Sequence, residues 1–189
     1  MATIMSHAVA ATALGLACGP RLPKRAIFYG AMCSMVPDVD VLGFGLGIKY
    51  GDPFGHRGFT HSLFFAAVLA ALVLLALFHK PADRARWPTV WLYLFLATAS
   101  HGLLDAMTDG GLGVAFFAPF DNARFFFPWQ PIAVSPIGAR FFSARGMSVI
   151  ASEIVWVWLP SAALVLAAFF LRRTFAGEFP RPKLGTGAD

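Results

Sequence analysis

Charge is what this chain has least of. Only 13% of its 189 residues are Asp, Glu, Lys or Arg, while 58% are hydrophobic; a soluble domain carries about 25% charged residues. That balance excludes a disordered chain, which needs low hydrophobicity, and argues against a water-soluble globule. Cysteine is nearly missing too. Cys18 and Cys33 both lie in apolar runs, make no disulfide framework, and read as small buried hydrophobes. Met1 to Ser6 contain no Lys or Arg, so the start lacks the basic region of a signal peptide and is expected to be retained. The net charge of +5 is not gathered into a stripe or tail. It falls in short clusters between apolar runs, which suits the loops of a membrane protein better than a nucleic-acid partner. Gly43, Gly45 and Gly47 lack the lysine and the strand–loop–helix context of a phosphate-binding loop, and read as packing or hinge positions.

Apolar runs long enough to cross a bilayer, about 17–25 residues, are present. Thr60 to Phe78 has no charge after His61, and Val149 to Leu171 is broken only by Glu153 and Pro160. Thr89 to Met107 is a third run that turns polar at its far end. Ile4 to Gly19 and Ala26 to Val36 are shorter, and Val41 to Ile48 extends the latter past Pro37 as a broken helix. Between Gly110 and Met147 four prolines interrupt an aromatic-rich stretch, the composition of an interfacial loop. The expected architecture is an all-α integral membrane protein. It is a compact bundle of about four to five membrane-embedded segments, some short or broken, in one domain over residues 1–172 with a basic tail over 173–189. Three basic clusters, Arg21/Lys24/Arg25, Lys80/Arg84/Arg86 and Arg172/Arg173/Arg181/Lys183, are placed in the cytoplasm by the positive-inside rule. His7, His56, His61, His101 and the nearby aspartates then gather on the outer side, whereas His79 falls with a cytoplasmic cluster.

Four elements carry chemistry. His101, Asp105 and Asp109 follow one another at four-residue spacing. On a continuing helix each step drifts by only about 40°, which puts all three on one face. Ionisable groups at membrane depth cost about 2.5–3.5 kcal/mol each on insertion scales, so three on one stripe point to metal binding or catalysis rather than packing. His56 and His61 stand five apart around Arg57-Gly58-Phe59-Thr60. They can meet one site only if the segment begins as a loop, which Gly55 and Gly58 allow, with Thr60 as the expected N-cap of the next helix. Arg57 offers a planar cation suited to phosphate. Asp38 and Asp40 follow Pro37, and in extended backbone they would point the same way. His7 follows Ser6 at the start of the first run. Glu153 is expected either to complete a metal shell or to pair with Arg145.

Imidazole and carboxylate donors favour a divalent ion such as zinc, with manganese or iron as alternatives. Their number exceeds the three to four ligands of one catalytic zinc, so two ions are expected. Such sites activate water while clamping a phosphoryl group.

Taken together, Ser6-His7, Pro37-Asp38-Val39-Asp40, His56-Arg57-Gly58-Phe59-Thr60-His61-Ser62 and His101-x-x-x-Asp105-x-x-x-Asp109-Gly110-Gly111 resemble the YdjM family of inner-membrane proteins. Pro119-Phe120 and Phe127-Pro128-Trp129-x-Pro131-Ile132 extend the resemblance to most of the chain. Where the family has a basic residue after Pro-Trp, this chain has Gln130. The resemblance implies a polytopic helical, metal-dependent hydrolase with metal on His7, Asp38, Asp40, His56, His61, His101, Asp105 and Asp109. The His-x-x-x-Asp element is also distantly similar to one in zinc-dependent phospholipase C, which tilts the expected substrate toward a phosphoester of a lipid or lipid-linked molecule.

The expected function is thus hydrolysis at the outer face of a bacterial or archaeal inner membrane. Arg57 would neutralise phosphoryl charge and Asp109 would receive the proton from water. The expected partners are the bilayer and a lipid substrate, without nucleic acid; the oligomeric state is not defined. A divalent-metal transporter using the same cluster is the alternative, but the cytoplasmic halves of Thr60–Phe78 and Thr89–Met107 are almost wholly apolar.

Overall fold

The computed structural model describes residues 1–136 and 138–176. The part of the expected basic tail containing Arg181 and Lys183 lies outside the described residues. The helices are α1 (Ile4–Cys18), α2 (Lys24–Met35), α3 (Leu63–Leu77), the single turn α4 (Pro81–Arg84), α5 (Trp87–Ala106), α6 (Ala144–Glu153) and α7 (Leu159–Ala176). α2 runs on through Pro37 as a 3-10 segment, Val36–Leu46, so the broken helix expected across this proline is observed. Gly47, at φ +83°, ends it with a left-handed residue that favours glycine. α6 and α7 are joined by a π-helical turn, Ile154–Trp158. Pro160 has no N–H to give the carbonyl of Trp156 and its ring crowds that group, so the ladder widens at this point.

Two continuous helical stretches are long and apolar enough to cross a membrane, Lys24–Leu46 with 23 residues and Ala144–Phe175 with 32. α3 has 15 residues, about 22 Å at 1.5 Å per residue, against a hydrocarbon core of about 30 Å. The run Thr60–Phe78 thus forms a shorter helix than its composition suggests, because its first residues are used in the site. α3 and α7 turn large apolar side chains outward, among them Leu72 (60% exposed) and Phe170 (61%). A helix apolar all round fits lipid rather than water.

Tyr93 knits the bundle at its centre. Its buried hydroxyl is shared between the carbonyls of Ala11 on α1, at 3.0 Å, and Ile27 on α2, at 3.2 Å. Gly15 and Gly30 make room for the ring: a Cβ on Gly15 would sit 2.9 Å from the Tyr93 hydroxyl, and one on Gly30 would overlap the ring.

The bundle has two chemically different ends. At one, Arg25 pairs with Asp83 and covers the Phe78 ring at 4.5 Å, while Arg172 donates to the Ala17 carbonyl at 2.5 Å. These contacts gather the basic connections at a single end. At the other end lie the starts of α1, α3 and α6, the finish of α5 and the 3-10 segment. A loop cap over 107–136 covers it, held by isolated bridges between Thr108 and Ile132 and between Val114 and Phe125.

Candidate metal centre

Imidazoles and carboxylates converge at the capped end. Asp38, His61, His101 and Asp105 are all buried, with one potential ligand atom from each lying within 4.8 Å of the others. His101 Nε2 stands 3.0 Å from His61 Nε2, 3.3 Å from Asp38 Oδ1 and 3.9 Å from Asp105 Oδ2. His61 Nε2 stands 3.8 Å from Asp38 Oδ1 and 3.5 Å from Asp105 Oδ2. A second group, Asp40, His56 and His61, meets the same criterion and shares His61 with the first.

The tautomer of each central ring follows from its neighbours. His101 Nδ1 lies 2.7 Å from the Ser34 carbonyl, which can only accept, so Nδ1 carries the hydrogen. The Thr60 hydroxyl donates to Asp40 Oδ2 at 2.7 Å. With its single hydrogen spent there, it accepts from His61 Nδ1 at 3.1 Å. Both Nε2 atoms therefore present lone pairs to each other. A proton on one ring relieves that repulsion; a cation between the rings relieves it for both and turns the arrangement into coordination.

The unpartnered atoms fit a cation as well. Among the described residues, both Asp38 oxygens, Asp105 Oδ2, His56 Nε2 and both His7 nitrogens are buried without a hydrogen-bond partner. Leaving such a group unsatisfied costs about 1–3 kcal/mol, more when it is charged. Two histidines and two carboxylates are a donor set for a borderline divalent ion such as zinc.

The positions follow from local structure. His101 and Asp105 share a face of α5, as their spacing predicts. Gly102 between them is bare because a Cβ there would lie 2.9 Å from the His61 carbonyl; its absence lets the His61 backbone press against α5. Residues 47–58 form a turn-rich loop in which Gly55 and Gly58 pack against the carbonyls of Lys49, Tyr50 and Pro53. The N-cap of α3 is Ser62, whose hydroxyl accepts from Phe65 N at 3.0 Å, rather than the expected Thr60; Thr60 is used on Asp40 instead. Asp38 and Asp40 are not in extended backbone either. At three residues per 3-10 turn they diverge by about 120°, which is why each serves a different group.

The remaining expected residues surround this centre. His56 donates from Nδ1 to Asp40 Oδ1 at 2.7 Å, and its burial lowers the imidazole pKa despite that hydrogen bond, which favours the neutral form that ligates metal. His7 stacks on His101, ring centroids 3.6 Å apart at 13°, with Nε2 3.5 Å from Asp105 Oδ1. Arg57 is fully buried with φ +63°. It donates to the Gly110 carbonyl and the Thr108 hydroxyl, both at 2.8 Å, and its Nε is 3.2 Å from Asp105 Oδ2. Asp109 is placed apart: α5 ends at Ala106, and the exposed Asp109 carboxylate accepts from Val134 N at 2.7 Å. Glu153 meets neither Arg145 nor the cluster. It accepts from Thr3 N and Thr3 Oγ1 at 2.5 Å and from Ser6 Oγ at 2.6 Å, so it fastens the start of α1, and just before that helix Ala2 N donates to Asp105 Oδ1 at 2.8 Å. Sequence reading missed the parts played by Ser34, Thr60, Gly102 and Thr108. Only Thr60, inside the His56–His61 stretch, left a signal.

An all-helical bundle with lipid-type outer surfaces and a buried histidine–aspartate centre at one end defines a membrane protein with a candidate metal site. The chain belongs to the YdjM family of inner membrane proteins, which it matches over residues 1–175. It is 42% identical over 175 residues to "Inner membrane protein YbcI" of Escherichia coli (strain K12), an alignment covering 92% of this chain and 100% of that relative. No solved structure matches it.

Proposed function

We propose that this protein is a membrane-bound, metal-dependent hydrolase that cleaves a phosphoester of a lipid or lipid-linked molecule through metal-activated water. The observation that carries the reading is the 3.0 Å approach of His61 Nε2 to His101 Nε2, flanked by the Asp38 and Asp105 carboxylates. A divalent ion held by His61, His101 and Asp105, with Asp38 beside it, would supply Lewis acidity and lower the pKa of water. Zinc suits the donors best, with manganese or iron as alternatives. A neutral imidazole ligates through one nitrogen, so His61 serves the first group through Nε2 while Asp40 and Thr60 orient it from Nδ1. One tightly held ion per chain follows, with His56 and Asp40 supporting it.

The chain's own groups divide the remaining work. Asp38 receives the proton from water, since neither of its oxygens is committed to another donor. Asp109, turned away on its own loop, is not given that role. Arg57 is a positioning residue: its terminal nitrogens are spent on Gly110 and Thr108, and its Nε, 3.2 Å from Asp105 Oδ2, holds that carboxylate in place. His7 packs on the His101 ring and keeps it from rotating. The positive-inside rule puts the basic end in the cytoplasm and this site on the extracytoplasmic side of the inner membrane. Transport is not favoured, because α3 carries no polar residue from Leu63 to Leu77 that could relay an ion through its depth.

The test is a phosphoester screen on detergent-solubilised protein, with and without chelator. Chelator-sensitive hydrolysis that disappears in His101→Ala is expected. Metal-replete protein that hydrolyses no phosphoester, or that is indifferent to chelator, overturns the reading.

A further inference from the structure

A pocket of about 300 Å³ opens beside the centre, between the first turn of α1, the 3-10 segment after α2, and Ser135, Pro136, Gly138 and Phe141. Its walls are apolar, from Ile4, Met5, Val41, Pro136 and Phe141, and Asp38 lies on its lining. Asp38 is 6% exposed, and both its oxygens lack a partner. Asp38 thus belongs both to the lining of this pocket, with Met1, Thr3 and Ser135, and to the four-residue cluster. Ile4 and Met5, at 48% and 43% exposed, carry the apolar wall outward onto the lipid-type surface of α1.

Those features select a ligand. A small hydrophilic phosphate would fill the polar corner and leave the apolar walls bare. A lipid with two full chains would overfill a space at the small end of the ~300–1,000 Å³ range of ligand pockets. A single aliphatic chain ending in a polar head satisfies both parts at once. Each methylene moved from water into such a lining strengthens binding by about fourfold, so the chain, rather than the head, supplies most of the affinity. We propose that this pocket binds the aliphatic chain of a single-chain amphiphilic phosphate, delivered sideways from the surrounding lipid, with its head directed past Asp38 to the divalent ion that His61, His101 and Asp105 would hold. The assignment rests on the hydrolase reading for the head group and on the pocket alone for the chain.

The experiment measures binding by the shift of the thermal unfolding midpoint of the protein in phosphatidylcholine nanodiscs. Dodecyl phosphate and inorganic phosphate are the two probes, and hydrolysis of a soluble aryl phosphate is followed in parallel. Dodecyl phosphate is expected to stabilise the wild type at concentrations at least about tenfold below those needed with inorganic phosphate. Val41→Trp and Ile4→Trp, which fill the pocket, should each abolish that advantage, so that dodecyl phosphate and inorganic phosphate act at similar concentrations. Leu166→Trp, in the separate groove of about 770 Å³ between α1 and α7, should retain it. Undiminished dodecyl phosphate binding in both pocket variants, its loss in Leu166→Trp, or no advantage over inorganic phosphate in the wild type overturns the proposal. Pocket-dependent binding without hydrolysis would instead leave the chain site standing and remove the hydrolase reading.

Discussion

His61 and His101 face each other through their Nε2 atoms at 3.0 Å, while the Nδ1 of each ring is committed as a donor, to Thr60 in one case and to the Ser34 carbonyl in the other. Two neutral imidazoles arranged in this way repel, and they come from elements 40 residues apart in sequence. The surrounding hydrogen bonds fix both rings in this orientation, as the partner on the far ring nitrogen of a metal-binding histidine generally does.

The first prediction concerns that support. Asp40 accepts from His56 Nδ1 and Arg57 N as well, and it sets the Thr60 hydroxyl and hence the tautomer of His61. Asp40→Asn should weaken metal binding by about 10–100-fold, the usual effect of losing an outer partner of a metal-binding histidine, with helix content unchanged. Competitive titration against a chromophoric chelator measures it; wild-type affinity would show that Asp40 does not orient the ring.

Arg57 gives a stability prediction. It is buried beside Asp105, and removing one member of a buried charge pair costs about 3–5 kcal/mol because the other is left uncompensated. Arg57→Ala should therefore lower the unfolding midpoint sharply. Arg57→Lys should recover only part of the loss, since one ammonium cannot replace donors aimed at both Gly110 and Thr108. Thermal denaturation in detergent reads both variants; a neutral Arg57→Ala would contradict the role assigned.

Gly102 is a purely steric test. A methyl group at this position must push the His61 backbone away from α5, and overpacking of this kind costs about 1–3 kcal/mol. Gly102→Ala should destabilise the protein modestly and reduce metal affinity as well, because the shift separates His61 from His101. Loss of stability with unaltered affinity would mean that the loop moves without carrying the ring along.

Much of the fold could be read from the chain because its main signals are local. The bend at Pro37, the irregular cap after α5 and the segregation of basic loops each follow from a few adjacent residues. Within the site, His101 and Asp105 were legible through helical spacing alone. The same spacing carried the expectation on to Asp109, and there it met a tertiary effect: the Thr108 hydroxyl donates to the Asp105 carbonyl at 2.8 Å and is itself held by Arg57, so the chain turns out of the helix. The Ser34 contribution is a backbone carbonyl at the end of α2, freed where the helix tightens, and no side-chain pattern encodes it. Glu153 reads as a candidate ligand because a buried carboxylate in an apolar run demands a partner; that its partners are Thr3 and Ser6 depends on α6 crossing the start of α1, about 150 residues away.

The most direct measurement is the metal content of purified wild-type protein beside a His61→Ala/His101→Ala variant, by elemental analysis after exhaustive desalting. Close to one equivalent of a divalent ion per chain in the wild type is predicted, falling at least about tenfold in the variant once two of its three ligands are gone. The two rings supply most of the ligands the ion would have, so a folded double variant that retains wild-type metal content would contradict their assignment as the centre.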